Sequence, residues 1–238
     1  SLNMLYQAQV RYANVLADLV VHTNQPVLDV GCGMGGLLGV LNSRGYAATG
    51  LTPDKNQAVY VRAQYPNELL ECKFEDMPVQ GREGSFGTII TSESLQYLDL
   101  KRAIPLIDKL LCQGGRWIAC DYFRSGAAAE KSGHYWDGFV SQLEAHGFEL
   151  KENQDITPHI LPTIAYVHHW GTEILIPIVE YGIEKLKVKA PGAHFALADV
   201  WPVMLEKSNK LMAIGEPKQF AKDKKYVLMV IERKGENI

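Results

Sequence analysis

Three things are scarce in this chain, and each narrows what it can be. Basic residues are in no excess, with 24 Lys and Arg against 27 Asp and Glu and a net charge of −3. The cationic surface that neutralises phosphates in a nucleic-acid complex is therefore not expected, and no nucleic-acid partner is. Long apolar runs are missing too: Ile174 to Val179 is the longest candidate, far short of the ~18 residues that cross a bilayer. Residues 1–23 lack a basic segment followed by an uninterrupted apolar block, so they read as an amphipathic helix rather than a secretion signal. Cytoplasmic residence with no membrane span is the expectation. Cysteine is sparse, and Cys32, Cys72, Cys112 and Cys120 form no CxxC pair, which points to neither a disulfide framework nor a metal site. No linker, low-complexity run or internal repeat divides the 238 residues. One domain over 1–238 is the expectation, and its size and composition leave its oligomeric state open.

Against these absences stands one dense feature, Pro26-Val27-Leu28-Asp29-Val30-Gly31-Cys32-Gly33-Met34-Gly35-Gly36. Apolar β-formers give way to glycines and then to the helical pattern Leu37-Leu38-Gly39-Val40-Leu41, so the stretch reads as strand, tight turn, helix. Glycines there permit positive φ and let a ligand approach the backbone. Gly31, Gly33 and Gly36 fit the dinucleotide spacing GxGxxG, while Gly31, Gly33 and Gly35 fit the GxGxG of S-adenosylmethionine (SAM) binding. Asp29 favours the second. A pyrophosphate on this turn wants positive potential, whereas a carboxylate two residues upstream attracts the sulfonium and amino group of SAM. An NAD(P)-dependent oxidoreductase remains the alternative, and a ligand-free glycine turn is the blander one.

Further strands follow at 46–52, 69–74, 86–92, 116–122, 148–156 and 226–231, with helices between them near 53–65, 100–112 and 136–146. Such alternation means βαβ units and a mostly parallel sheet. The stretch 157–224 is helical in pattern and far exceeds the roughly 15 residues of a plain connection, so a helical lid inserted between the last two strands is expected. Its Tyr166, Trp170, Tyr181, Phe195 and Trp201 suit an apolar acceptor.

Leu28-Asp29-Val30-Gly31-Cys32-Gly33-Met34-Gly35, the acidic pair after Phe74 and Leu111-Cys112-Gln113-Gly114-Gly115-Arg116-Trp117 together resemble the class I SAM-dependent methyltransferase family. The likeness is to its small-molecule branch, with cyclopropane-fatty-acid, sterol and tocopherol methyltransferases. It covers about residues 10–156 and the last strand. The resemblance implies a Rossmann-like seven-stranded sheet in the order 3-2-1-4-5-7-6 and SAM as cofactor. It implies Asp29 near the methionine amino group, Gly31 and Gly33 beneath the methionine and ribose, and Ser92 at the methionine end. Thr52 and Gln57 match SAM-contacting positions of the cyclopropane branch in Gly50-Leu51-Thr52, with Asp54 an alternative that also suits a helix cap. Glu75 and Asp76 match the adenine-facing position, with Met77 as a ring contact. The family's acceptor-loop Glu-His pair falls on Gln96 and Tyr97 here, a departure from cyclopropanation. Glu93 matches the sterol and tocopherol pattern.

The sequence thus nominates Glu93, His134 and Tyr97 on the catalytic side, His134 as a titrating base. The expected reaction is methyl transfer to O, N or C of a small, partly apolar metabolite, of aromatic, polyketide-like or isoprenoid kind. A catalytically silent SAM-binding protein is the other alternative.

Overall fold

Val27–Val30 is β1 in the computed structural model, which describes residues 2–125 and 132–235, and all four of its residues are buried. Burial on both faces explains why this strand is an unbroken apolar run apart from Asp29. It pairs in parallel with β2 (Ala48–Leu51) on one side and β4 (Phe86–Ser92) on the other, setting Asp29 opposite Gly50 and Ile90. Outward from this centre lie β3 (Glu68–Leu70), β5 (Leu111–Arg124), β7 (Phe148–Asp155) and β8 (Lys224–Arg233), in the order β3-β2-β1-β4-β5-β8-β7. With β7 antiparallel to β8, this is the sheet order expected from the sequence for its seven main strands. An eighth strand was not foreseen: β6, only His134–Tyr135, pairs in parallel with the end of β5. Two residues carry no periodicity that a sequence pattern could reveal.

Helices α1 (Leu2–Asp18), α2 (Gly36–Ser43), α3 (Lys55–Gln64), α4 (Leu100–Leu110) and α5 (Trp136–Ala145) join these strands. In α4 the buried set Leu100, Ala103, Ile104, Ile107 and Leu110 repeats at helical spacing, and Asp99 caps its start by accepting the Lys101 N–H. On the sheet beyond it Trp117 is fully buried, edge-on to Phe139 and Phe148, with its Nε1–H donated to Thr91 Oγ1 at 2.9 Å. One boundary departs from expectation. Residues 111–115, expected as helix end and turn, belong to β5, which reaches across a bulge: Phe86 pairs with Leu111 and Thr88 with Arg116. Gly114 at φ 68 supplies the left-handed residue that such an irregularity needs.

Chain contacts divide the protein into two units, Ser1–Asp155 with Tyr226–Ile238, and Ile156–Lys225. The second unit holds α6 (Thr157–Trp170), α7 (Ile176–Lys189), α8 (Pro191–Ala196), α9 (Val200–Ile214) and α10 (Pro217–Asp223), with a π-helical turn at Gly171–Leu175. A Cβ at Gly171 would meet Met212 Sδ at 2.2 Å, so this turn packs directly on α9. Among the described residues no helix is long and apolar enough to cross a membrane.

The sheet's late strand is pinned by a mostly buried ion pair. Arg116 of β5 donates from Nε and Nη2 to Glu232 Oε1 of β8 at 2.9 and 2.7 Å, and from Nη1 to the Leu19 carbonyl at 3.1 Å. Removing one partner strands the other charge away from water. Glu232→Ala is expected to lower urea-unfolding stability by about 3 kcal/mol, and adding Arg116→Met is expected to recover part of that loss.

Candidate active site

The site begins where β1 ends. The Gly31 and Cys32 N–H groups both donate to the Leu51 carbonyl, at 2.8 and 3.0 Å, and the Gly35 N–H closes the turn on the Cys32 carbonyl at 2.9 Å. Gly31 sits at φ 78, and a Cβ there would lie 2.5 Å from Ser94 Cβ. That position is glycine because the loop after β4 packs against it, with Ser94 Oγ donating to the Val30 carbonyl. Gly33 is different: at φ 54, its missing Cβ would point into open space. The turn leaves a cradle.

That space is a cavity of about 940 Å³ at the carboxyl ends of β1, β2 and β4, where open α/β sheets bind ligands. Asp29, Gly31, Gly33, Thr52, Gln57, Ser92, Glu93 and Tyr97 all line it, so eight of the residues singled out in the sequence converge. Asp29 is the chemically unusual member. It is buried, its Oδ2 has no hydrogen-bond partner among the described residues, and burial pushes its carboxyl up to about 7. An unpaired buried carboxylate is costly, and a ligand cation placed against it recovers the loss.

Thr52 and Gln57 act on each other before they act on anything else. The Thr52 hydroxyl donates to Gln57 Oε1 at 2.7 Å and accepts the Asp54 N–H at 3.2 Å, which fixes the acceptor end of the Gln57 amide. Asp54 caps α3 by accepting the N–H groups of Asn56 and Gln57. Ser92 Oγ shares a 2.8 Å hydrogen bond with the Tyr12 hydroxyl. Glu93 follows at φ 55, in the left-handed region, its N–H donated to the Cys120 carbonyl at 2.9 Å.

A second cavity of about 400 Å³ shares Gly31, Pro53, Ser94 and Tyr97 with the first and is walled by Phe74, Glu75, Leu98 and Arg102. Glu75 Oε1 accepts the Asp99 N–H at 2.8 Å, while Asp76 pairs with Arg102 at 3.0 Å on the surface. Three nominated residues fall elsewhere than the sequence suggested. Asp76 faces solvent and Arg102. Met77, proposed as a ring contact, is 4% exposed and packs in the hydrophobic core. His134 lines neither cavity: its Nε2 donates to the Leu95 carbonyl at 3.0 Å, holding the 95–97 turn, and burial lowers its pKa.

Sequence reasoning missed one phenol at the cavity, Tyr12, and one buried acid, Asp121. Tyr12 of α1 lines the cavity, and burial first, then the Cys120 thiol, raises its pKa well above the ordinary tyrosine range. Asp121, at the end of β5, is pushed up to about 6 by burial although it accepts the Gln96 and Tyr122 N–H groups. Burial also drives the Cys32 and Cys120 thiols up to about 12, so neither is a thiolate nucleophile. A charged residue closing the apolar strand 116–122 was a usable signal for Asp121. Nothing in the α1 pattern separates Tyr12 from packing residues.

Residues 28–119, from β1 into β5, match the family described as a methyltransferase domain. An uncharacterised methyltransferase of Bacillus licheniformis is 26% identical over 159 residues, covering 65% of this chain and 70% of that protein. Residues 28–119 thus carry a methyltransferase domain. Solved structures that share the fold include geranyl diphosphate C-methyltransferase from Streptomyces coelicolor A3(2), at TM-score 0.64 and 17% identity over 94% of this chain and 78% of that one. Mycolic acid cyclopropane synthase matches at TM-score 0.68 and 17% identity, over 96% and 90%. The methyltransferase match sets aside the nicotinamide alternative, which shared only the glycine spacing. The residues present fit SAM: an unpartnered buried carboxylate for its cationic end, and an open backbone cradle at Gly33.

The methyltransferase carries a pH signature in Asp29. Unfolded, its carboxyl ionises near 3.8; folded, near 7. As pH rises from about 4 to 7 the unfolded chain loses this proton first, so ligand-free stability from this group falls across that window and is flat above it. The span corresponds to a few kcal/mol. Asp29→Asn is expected to raise the ligand-free Tm at pH 8 and to abolish stabilisation by S-adenosylhomocysteine. Calorimetric affinity of the unmodified protein for that ligand should rise between pH 6 and 8, levelling above about 7.

Proposed function

We propose that this methyltransferase acts on O, N or C of a small, partly apolar metabolite. The observation that carries the cofactor half of the reading is the buried, unpartnered Asp29 oxygen facing a cavity. SAM, when bound, supplies an activated methyl group. In this reading Asp29 holds the methionine ammonium, and Gly31 and Gly33 let the chain run beneath the ligand. Gln57, oriented by Thr52, donates to polar groups along it, while Glu75 borders the adenine end and Ser92 the methionine end. Positioning and exclusion of water are the main tasks of such a site. Glu93 and Tyr97 are the residues we assign to the acceptor side, both on the cavity wall. The 157–224 insertion, which carries Tyr166, Trp170, Tyr181 and Trp201, is our candidate for acceptor selection.

His134 takes no proton-transfer role in this reading, since its Nε2 is engaged with a backbone carbonyl. The decisive experiment is differential stabilisation by S-adenosylhomocysteine, NADH and NADPH. A ligand at about 100 times its Kd adds roughly 2.7 kcal/mol to the native state. Stabilisation by S-adenosylhomocysteine alone, reduced in Thr52→Val and in Gly33→Ala, supports the reading. Stabilisation by a nicotinamide nucleotide alone overturns it.

A further inference from the structure

The charges on the wall of the larger cavity have one sign. They are Asp29, Asp54 and Glu93, and among the described residues no Lys, Arg or His lines the cavity with them. Asp54 is occupied by the N–H groups that start α3, and Asp29 serves the cofactor in the reading above, on which this inference rests. Glu93 caps no helix and pairs with no cation among the described residues. Its backbone is nonetheless held at φ 55, where glycine would sit without steric cost. An acidic side chain is thus kept on the wall against a conformational penalty. The same wall carries the aromatic rings of Tyr6, Tyr12 and Tyr97.

We propose that the acceptor is an amine with an apolar body, recognised through the positive charge that its nitrogen carries or acquires. A carboxylate on a wall that also carries aromatic rings attracts an organic cation, through charge and through the electron-rich ring faces. A phosphate or carboxylate acceptor would meet Glu93 with like charge and find no counter-ion on this wall. On methylation of a tertiary amine, the ammonium proton first leaves to solvent, the freed nitrogen lone pair then becomes the new N–C bond, and the S–C pair stays on sulfur. The resulting quaternary charge rests beside Glu93.

The test uses choline as probe beside its neutral isostere 3,3-dimethylbutan-1-ol, each titrated calorimetrically into the 238-residue protein saturated with S-adenosylhomocysteine. Choline should bind about tenfold or more tightly than the alcohol, and Glu93→Gln should weaken choline about tenfold while leaving the alcohol and S-adenosylhomocysteine unchanged. Glu93→Gly, relieved of the left-handed conformation, should show the same choline loss at an unchanged or higher Tm, which separates charge from folding. Equal binding of choline and the alcohol overturns the proposal. So does a Glu93→Gln protein that loses S-adenosylhomocysteine and keeps choline, because Glu93 would then serve the cofactor. Failure of the unmodified protein to bind S-adenosylhomocysteine would instead strike the methyltransferase reading beneath it.

Discussion

A carboxylate at the end of the central strand, cut off from water and left with one oxygen unbonded, is a standing cost that this fold maintains. Asp29 can occupy that place because β1 is clamped in parallel between β2 and β4, so its backbone does not yield to let the side chain reach solvent. The features around it follow from the same constraint. Gly31 brings the loop after β4 against the turn, Ser94 fastens that loop to the Val30 carbonyl, and the carboxyl ends of three strands then enclose one space. A cation entering there meets a negative charge that water has never screened, which makes the attraction far stronger than at a surface. Recognition is prepared before the ligand arrives.

Much of this was legible in the sequence, and the legible parts share a cause. Gly31, Gly33 and Asp29 announce themselves because a strand, a turn and a misplaced charge follow one another within a few residues. The alternation of strands and helices was readable because buried strands and the amphipathic α4 repeat with definite periods, while the sheet order came from the family resemblance. Contacts made across the fold were not readable. Met77 follows the acidic pair as closely as a ring contact would, yet it turns into the core. His134 looks like a free imidazole until β6 sets it against the Leu95 carbonyl. Tyr12 lies 80 residues from the Ser92 hydroxyl that it bonds, and α1 presents it with the same spacing as its neighbours.

The two kinds of glycine in the first turn show why spacing alone underdetermines function. Gly31 and Gly35 are excluded from carrying a Cβ by the protein itself, through Ser94 and Tyr65, whereas Gly33 faces empty space. Only Gly33 leaves its Cβ position open to the cavity. A motif that reads as three equivalent glycines is, in three dimensions, two packing requirements and one opening.

The position of β8 has a consequence for how the protein is made. β8 lies between β5 and β7, yet it is separated from β7 by the whole helical unit of residues 156–225. When β7 leaves the ribosome its partner β8 does not yet exist, and its hydrogen-bonding edge stands open while the helices are synthesised. Loop closure over such a separation is slow, and an unpaired edge is what neighbouring chains adhere to. The run Glu149-Leu150-Lys151-Glu152-Asn153-Gln154-Asp155, nearly all charged or amide-bearing and largely exposed, keeps that waiting strand soluble until Lys224–Arg233 arrives to close the sheet.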